Sequence, residues 1–294
     1  MPVIKAKYYG FCEGVKLAIE KTNEALRGNK KKIFVIGPLI HNPQVIEKLS
    51  KQGLITVEDI NKIDKDGILI VRSHGLPEPK IKKAIEMGIQ IIDSTCYKVK
   101  NLHKLSKQLV KDGYQLVLIG DHDHAEVKAI KESINDNVVV ISSPDEVDKT
   151  KFKRKVGIVV QTTQSENNFY KIVNRVLKQV EELRVFNTIC KASILRQNAA
   201  YELSKNVELM IVIGGKESAN TKRLAGICKE NTQTHHIETK EELKDSWFKG
   251  KKNIGITAGA STPDWIIEEV QKRVEEIMAR RLLFHSSQSK FPHS

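Results

Sequence analysis

Apolar residues recur along the chain in short, nearly continuous runs. Each run is followed by a polar or glycine-containing turn, and then by a segment with apolar positions every three to four residues. A brief aliphatic run reads as a strand buried on both faces, and the 3.6-residue period reads as an amphipathic helix beside it. The pattern predicts strands at Lys32–Ile36, Gly67–Val71, Gln90–Asp93, Gln115–Ile119, Asn137–Ile141, Lys155–Val160, Val185–Thr188, Glu208–Ile213, Thr232–Ile237 and Asn253–Thr257. Helical patterns cover Gly14–Leu26, Gln44–Gln52, Val99–Lys111, Asn168–Val180, Ile194–Lys205 and Lys240–Ser246. Strands alternating with helices at this spacing require parallel sheets joined by right-handed crossovers, an α/β fold. A C-terminal helix precedes a tail, Leu282 to Ser294, that loses the helical period and is expected to fray.

One local pattern recurs. Asp93-Ser94-Thr95-Cys96 and Asn187-Thr188-Ile189-Cys190 each close a strand and open a helix, and Cys12 sits at a similar junction. Three units marked in this way read as an internal repeat. Three small α/β domains are therefore expected, over residues 1–96, 97–190 and 191–294. Units arranged around a shared centre would bring the three thiols together.

Composition narrows the possible roles. The 294 residues suffice for two or three domains, and 40% hydrophobic with 29% charged residues is a globular balance. No apolar stretch approaches the roughly 20 residues of a membrane span, and the first residues do not resemble a signal peptide. A cytoplasmic protein without membrane contact is expected. The formal charge of +13 suits nucleic acid, an acidic protein or an anionic substrate. Only 5% of residues are aromatic, too few to supply obvious stacking platforms for single strands, so nucleic-acid binding is not expected. The four cysteines lie at 12, 96, 190 and 228, outside any CxxC spacing, which disfavours zinc ribbons and fingers. Cys228 falls inside a helical pattern and reads as core.

Polar chemistry collects just past the carboxyl ends of the strands, where parallel α/β folds bind ligands. His41 and Asn42 follow one strand, Arg72-Ser73-His74-Gly75 another, and Asp121 to Glu126, with His124, a third. Gln161-Thr162-Thr163, then Ser218 and Asn220, then Ser261 follow later strands. Taken singly, each has an ordinary reading as a cap or a solvated loop residue. Three thiolates leave a cubic iron–sulfur cluster one ligand short, and the unligated iron could bind a substrate oxygen. Histidine, hydroxyl and amide groups can hydrogen-bond a polyanion, and Glu126 could deliver a proton if burial raises its pKa. Two other readings stay open at this point. One is a mononuclear metal hydrolase built on His41, His74, His124 and Glu126; the other is a basic nucleic-acid-binding module.

The motifs GFCEGV at 10–15, LIHN at 39–42, RSHG at 72–75, DSTC at 93–96, HAEV at 124–127, QTT at 161–163, TIC and RQ at 188–190 and 196–197, SAN at 218–220 and GITAGAS at 255–261 resemble, in order and spacing, one family. It is the LytB-type 4-hydroxy-3-methylbut-2-enyl diphosphate reductases of the non-mevalonate isoprenoid pathway. The resemblance implies a pseudo-threefold trefoil around a 4Fe–4S cluster bound by Cys12, Cys96 and Cys190. It implies that His41, His74, His124, Ser218, Asn220 and Ser261 hold an allylic diphosphate. Glu126 is implied as the proton-relay carboxyl and Thr162 as its hydrogen-bonding companion, with a ferredoxin or flavodoxin as electron donor. Ala219 stands where many relatives have a second serine, and Ala125 where proline is common. Lys191 and Ser193 follow the third cysteine where Asn and Thr are frequent.

Overall fold

The computed structural model describes residues 3–134 and 138–288. Among the described residues, twelve strands and ten α-helices follow one another in the order β1 (Val3–Lys5), α1 (Glu13–Gly28), β2 (Ile33–Ile36), α2 (Pro43–Lys51), β3 (Leu54–Val57), β4 (Ile68–Val71), α3 (Glu78–Glu86), β5 (Gln90–Asp93) and α4 (Tyr97–Lys111). They continue with β6 (Gln115–Ile119), α5 (Ala125–Ser133), β7 (Val138–Ile141), α6 (Pro144–Val147), β8 (Lys155–Val160), α7 (Glu166–Leu177), β9 (Glu182–Val185) and α8 (Lys191–Ser204). The last elements are β10 (Leu209–Ile213), α9 (Ala219–Lys229), β11 (Gln233–Ile237), β12 (Ile254–Ala258) and α10 (Asp264–Gln288).

The strands form three four-stranded sheets in the orders β3-β2-β4-β5, β7-β6-β8-β9 and β1-β12-β10-β11, and every pairing is parallel. The α/β class expected from the pattern is the one observed. Numbered within each sheet, all three share the order 2-1-3-4, provided that β1 counts as the fourth strand of the last sheet. That strand pairs with β12 through Val3↔Ile254, Ile4↔Gly255 and Lys5↔Ile256. Residues 3–5 thus belong with the C-terminal sheet and not with residues 12–96, where the sequence repeat had placed them.

The chain divides into two compact units. Residues 12–194 carry the first two sheets, and residues 1–11 with 195–294 carry the third. In the larger unit, β2, β4, β6 and β8 are almost wholly buried, which is why their sequences read as unbroken aliphatic runs. Leu102, Leu109, Val127 and Ile130 pack on one face of the second sheet, and Phe169, Ile172 and Val176 pack on the other. In the smaller unit, Ile266, Ile267, Val270, Val274 and Ile277 of α10 cover one face of the third sheet, and Ala200, Leu224 and Cys228 cover the opposite one.

Some expectations need correction. A strand was expected at Val185–Thr188, whereas β9 is Glu182–Val185. The Thr188 hydroxyl replaces the ladder there by donating to the Val160 carbonyl and accepting from its amide, while Asn187 Oδ1 accepts from Ile189 N at 3.1 Å. These local side-chain bonds turn the chain out of the sheet. Lys240–Ser246 is not one helix but 3₁₀ turns at Lys240–Glu242 and Asp245–Phe248, the first closed by a Thr239–Glu242 capping box. The strands β1 and β3 were missed. The final helix runs on to Gln288, past the expected fraying point at Leu282, and residues 289–294 lie outside the described residues, as does Asn137. Among the described residues no helix is long and apolar enough to cross a membrane.

Candidate active site

In the larger unit the site is built from the loops that leave β2, β4, β6 and β8. The chain turns at Gly37 (φ +66°), passes buried Leu39 and Ile40, and presents His41 just before Asn42, whose Oδ1 accepts from Val45 N at 3.0 Å and caps α2. After β4 a tight turn from Arg72 to Gly75 (φ +78°) presents His74. The third histidine, His124, caps α5: its Nδ1 accepts from Glu126 N at 3.3 Å. The rings of His41, His74 and His124 lie 4.9, 6.2 and 5.6 Å apart pairwise, and their ligand-capable nitrogens fall within 4.8 Å of one another. Burial, reinforced by the neighbouring His41, His124 and Arg72, holds the His74 pKa well below the usual value of 6.5. Its Nδ1 is buried with no hydrogen-bond partner among the described residues.

Glu126 is 1% exposed, which decides its chemistry. Burial pushes its pKa up to about 7, against the opposing pull of two hydrogen bonds from Thr162, and Asp121 adds a smaller upward push. Thr162 N donates to Oε1 at 2.7 Å and Thr162 Oγ1 donates to Oε2 at 2.8 Å. The adjacent residue, Gln161, grips the other acid of the same loop. Its Oε1 accepts from Asp121 N at 2.7 Å, and its Nε2 donates to Asp121 Oδ2 at 3.2 Å. Because β6 and β8 are neighbours, residues 161 and 162 meet the loop of residues 121–126 directly.

Cys96 and Cys190 are fastened to these same loops. Cys96 N donates to the carbonyl of Ser73, beside His74, at 3.0 Å, and Cys190 N donates to the carbonyl of Thr162 at 2.8 Å. Cys12 and Cys96 are the residues that precede α1 and α4, and Cys190 directly precedes α8. A methyl group placed on Gly14 would stand 2.8 Å from Cys96 Sγ and 4.0 Å from Cys12 Sγ, so both thiols face one cradle that a side chain would fill. The Cys96 thiol pKa is raised by burial first, with contributions from Cys12 and Cys190, and is opposed by the backbone amides of Lys98 and Val99 that donate to its sulfur. Among the described residues the three sulfurs do not form a group as tight as the histidine nitrogens. The Cys12 and Cys96 sulfurs face the same space beside Gly14, and Cys12 and Cys190 both stand close enough to Cys96 to act on its thiol. Cys228 stays apart: it is buried in the other unit, its thiol is pushed up to about 12 by burial, and it donates to Ala200 O.

In the smaller unit, Ser218, Asn220 and Ser261 lie at the carboxyl end of the third sheet, after the neighbouring strands β10 and β12. Ser218 Oγ caps α9 by accepting from Thr221 N at 3.3 Å. Asn220 is 5% exposed, yet neither its Oδ1 nor its Nδ2 has a hydrogen-bond partner among the described residues. Burial of both ends of an unpaired amide is costly. Sequence reasoning passed over Gly14, Gln161 and Arg196. Arg196 and Gly14 stand inside quoted motifs, and the motif at 161–163 begins with Gln161, so residue type was visible even though contact was not.

The family model described as LytB protein matches residues 3–275. The chain belongs to the LytB family. A protein of Pelobacter propionicus named 4-hydroxy-3-methylbut-2-enyl diphosphate reductase is 46% identical over 278 residues, covering 94% of this chain and 99% of that one. The Aquifex aeolicus protein of the same name is 41% identical over 285 residues, covering 96% and 98%. Two solved structures are similar to this LytB chain. One is of (E)-4-hydroxy-3-methyl-but-2-enyl diphosphate reductase, described as the terminal enzyme of the non-mevalonate pathway; it is 41% identical, covers 93% of this chain and 99% of its own, and has a TM-score of 0.68. The other is the reductase of Plasmodium falciparum, 30% identical, covering 93% and 86%, with a TM-score of 0.88.

Proposed function

We propose that this LytB-family protein is a 4-hydroxy-3-methylbut-2-enyl diphosphate reductase. The reaction takes two electrons and two protons, breaks the allylic C–O bond, releases the oxygen as water, and leaves isopentenyl and dimethylallyl diphosphates. Cys12, Cys96 and Cys190 would hold a 4Fe–4S cluster, which when bound supplies the electrons and an iron with no protein ligand to act as Lewis acid. The observation that carries this reading is the pair of backbone bonds from Cys96 N to Ser73 O and from Cys190 N to Thr162 O. They join two thiols to the loops that carry His74 and the partner of Glu126.

The chain's own groups divide the remaining work. His124 receives the Glu126 amide at Nδ1, so its neutral ring carries the proton on Nε2. That nitrogen is then a donor, suited to a phosphate oxygen. His41, His74 and His124 bind the diphosphate, and Ser218, Asn220 and Ser261 are the further donors assigned to it. Glu126, with a pKa near neutrality, keeps a proton available at a buried position, and Thr162 fixes both of its oxygens. An acidic electron-carrier protein of the ferredoxin or flavodoxin kind suits the +13 charge. The enzyme is assigned to the cytoplasm, with three α/β domains divided near 96 and 190 and with residues 1–11 joined to the third.

Iron and acid-labile sulfide analysis of anaerobically purified protein tests this reading. Brown protein with iron and sulfide in equal order is expected, and it is lost on Cys→Ser substitution at 12, 96 or 190 but kept in Cys228→Ser. A colourless zinc protein, or a requirement for Cys228 in place of one of the others, overturns it.

A further inference from the structure

We infer that Arg196 is a positioning residue for Cys12, fixing the two peptide carbonyls from which that cysteine departs. The inference rests on the cysteine reading above and concerns a residue that the reading does not use. Arg196 is 7% exposed, and its guanidinium is turned onto the backbone: Nε and Nη2 donate to the Gly10 carbonyl at 3.1 and 2.8 Å, and Nη2 donates to the Phe11 carbonyl at 3.0 Å. The next residue is Cys12. Gly10 itself has φ +70° and donates from its amide to Ala258 O at 3.3 Å, so the turn is held on its donor side by the third sheet and on its acceptor side by Arg196. An ideal Cβ on Gly10 would lie 3.2 Å from Ile267 Cδ1 and 3.4 Å from Asp264 Oδ1, which leaves the turn little room to shift.

The second anchor is the helix. Arg196 belongs to α8, which opens at Lys191 directly after Cys190 and whose Ser193 and Ile194 amides donate to the Cys190 carbonyl at 2.8 and 3.1 Å. A helix rises a fixed ~1.5 Å per residue, so a side chain in its second turn stands at a set distance from the residue that opens it. One fork thereby links the segment leading into the first cysteine with the helix that begins at the third. A planar guanidinium can take two successive carbonyls at once, which an ammonium on a flexible stem cannot do with the same geometry. Three hydrogen bonds from one buried guanidinium to two successive carbonyls hold that turn in a single geometry. The same charge lies one residue from a proposed ligand of an anionic cluster, where it favours the more negative, reduced state.

The test uses the full chain, reconstituted anaerobically, as wild type, Arg196→Met and Arg196→Lys. The readouts are iron and sulfide content, the rate of iron loss to a ferrous chelator, the reduction potential and electron paramagnetic resonance spectrum, and the thermal midpoint. Arg196→Met should lose iron faster by on the order of tenfold or more, as expected for removal of charged hydrogen bonds, and should shift the potential to a more negative value. Arg196→Lys keeps the charge and loses the fork, so iron loss should be intermediate and the potential close to wild type. Wild-type rates and spectra in both variants overturn the inference, even if the thermal midpoint falls, because a purely structural role moves only the midpoint. If Arg196→Met does not fold, a wild-type iron-loss rate in Arg196→Lys overturns it alone. A wild-type chain that takes up neither iron nor sulfide overturns the cysteine reading, and this inference with it, and is recognised without any variant.

Discussion

Replacing Glu126 by Gln should cut turnover steeply and at the same time stabilise the protein above neutral pH. The carboxyl has an ordinary pKa of 4.5 and a folded-state pKa of about 7. As pH rises from 4.5 to 7 the unfolded chain releases this proton while the folded chain keeps it, so folded stability falls across that window and stays low above it. With the pKa raised from 4.5 to about 7, and roughly 1.4 kcal/mol for each tenfold change in proton affinity, the destabilisation reaches about 3 kcal/mol at pH 8 but under about 1 kcal/mol at pH 5. A glutamine keeps both contacts, since Thr162 N can donate to its Oε1 and its Nε2 can donate to the Thr162 hydroxyl. Urea unfolding of both proteins at matched iron content should show Glu126→Gln more stable than wild type at pH 8, with a gain at least about 2 kcal/mol larger than at pH 5. Turnover should fall by roughly 10²–10⁴-fold. A stability difference that is equal at the two pH values would refute the assigned titration, whatever happened to activity.

Three further outcomes follow from the geometry. Thr162→Val removes the hydroxyl bond that favours the ionised carboxylate but keeps the amide bond, so the alkaline limb of the kcat/KM profile should move up by about one pH unit, and an unmoved limb would count against Glu126 as the titrating group. Gly14→Ala places a methyl 2.8 Å from Cys96 Sγ and should lower iron and sulfide content sharply, whereas Gly28→Ala, whose Cβ meets nothing within 4 Å, should not. Asn220→Ala should raise KM for the diphosphate by on the order of tenfold while leaving thermal stability equal or higher, because its buried amide has no partner among the described residues to lose. A clear fall in stability would mean that the amide has an internal role.

Much of the fold was legible because the central strands are buried on both faces, and an Ile-Leu-Ile-Val run such as 68–71 has no other comfortable environment. The strands that escaped notice were those on sheet edges. Val3–Lys5 has three residues, none of them fully buried, and Leu54–Val57 buries only Leu54. Their membership is decided by a partner strand, for β1 one that lies about 250 residues away in the chain, and local pattern carries no such information. The candidate site divides in the same way. Cysteines and histidines at strand ends announce themselves by type. The methyl-free space at Gly14, the bracket of Gln161 on Asp121 and the fork of Arg196 on two carbonyls exist only once distant segments are packed.

The shared 2-1-3-4 order explains why the polar residues were found where they were. In that order the first and third strands lie side by side at the middle of each sheet, the chain leaving the first crosses toward the second, and the chain leaving the third crosses toward the fourth. Loops that diverge in this way open a crevice between the two central strands, the switch point at which parallel sheets bind ligands. His41 and His74 follow the central pair β2 and β4. His124 with Glu126, and then Thr162, follow β6 and β8. Ser218 with Asn220, and then Ser261, follow β10 and β12. Each cysteine instead comes after a fourth strand: Cys96 after β5, Cys190 after β9 and Cys12 after β1. The same topology used three times thus places the histidines, Glu126, Thr162 and the Ser and Asn side chains at the central crevices and the thiols on the chain leaving an outer strand. The N-terminal strand has to complete the third sheet for Cys12 to occupy the position equivalent to the other two.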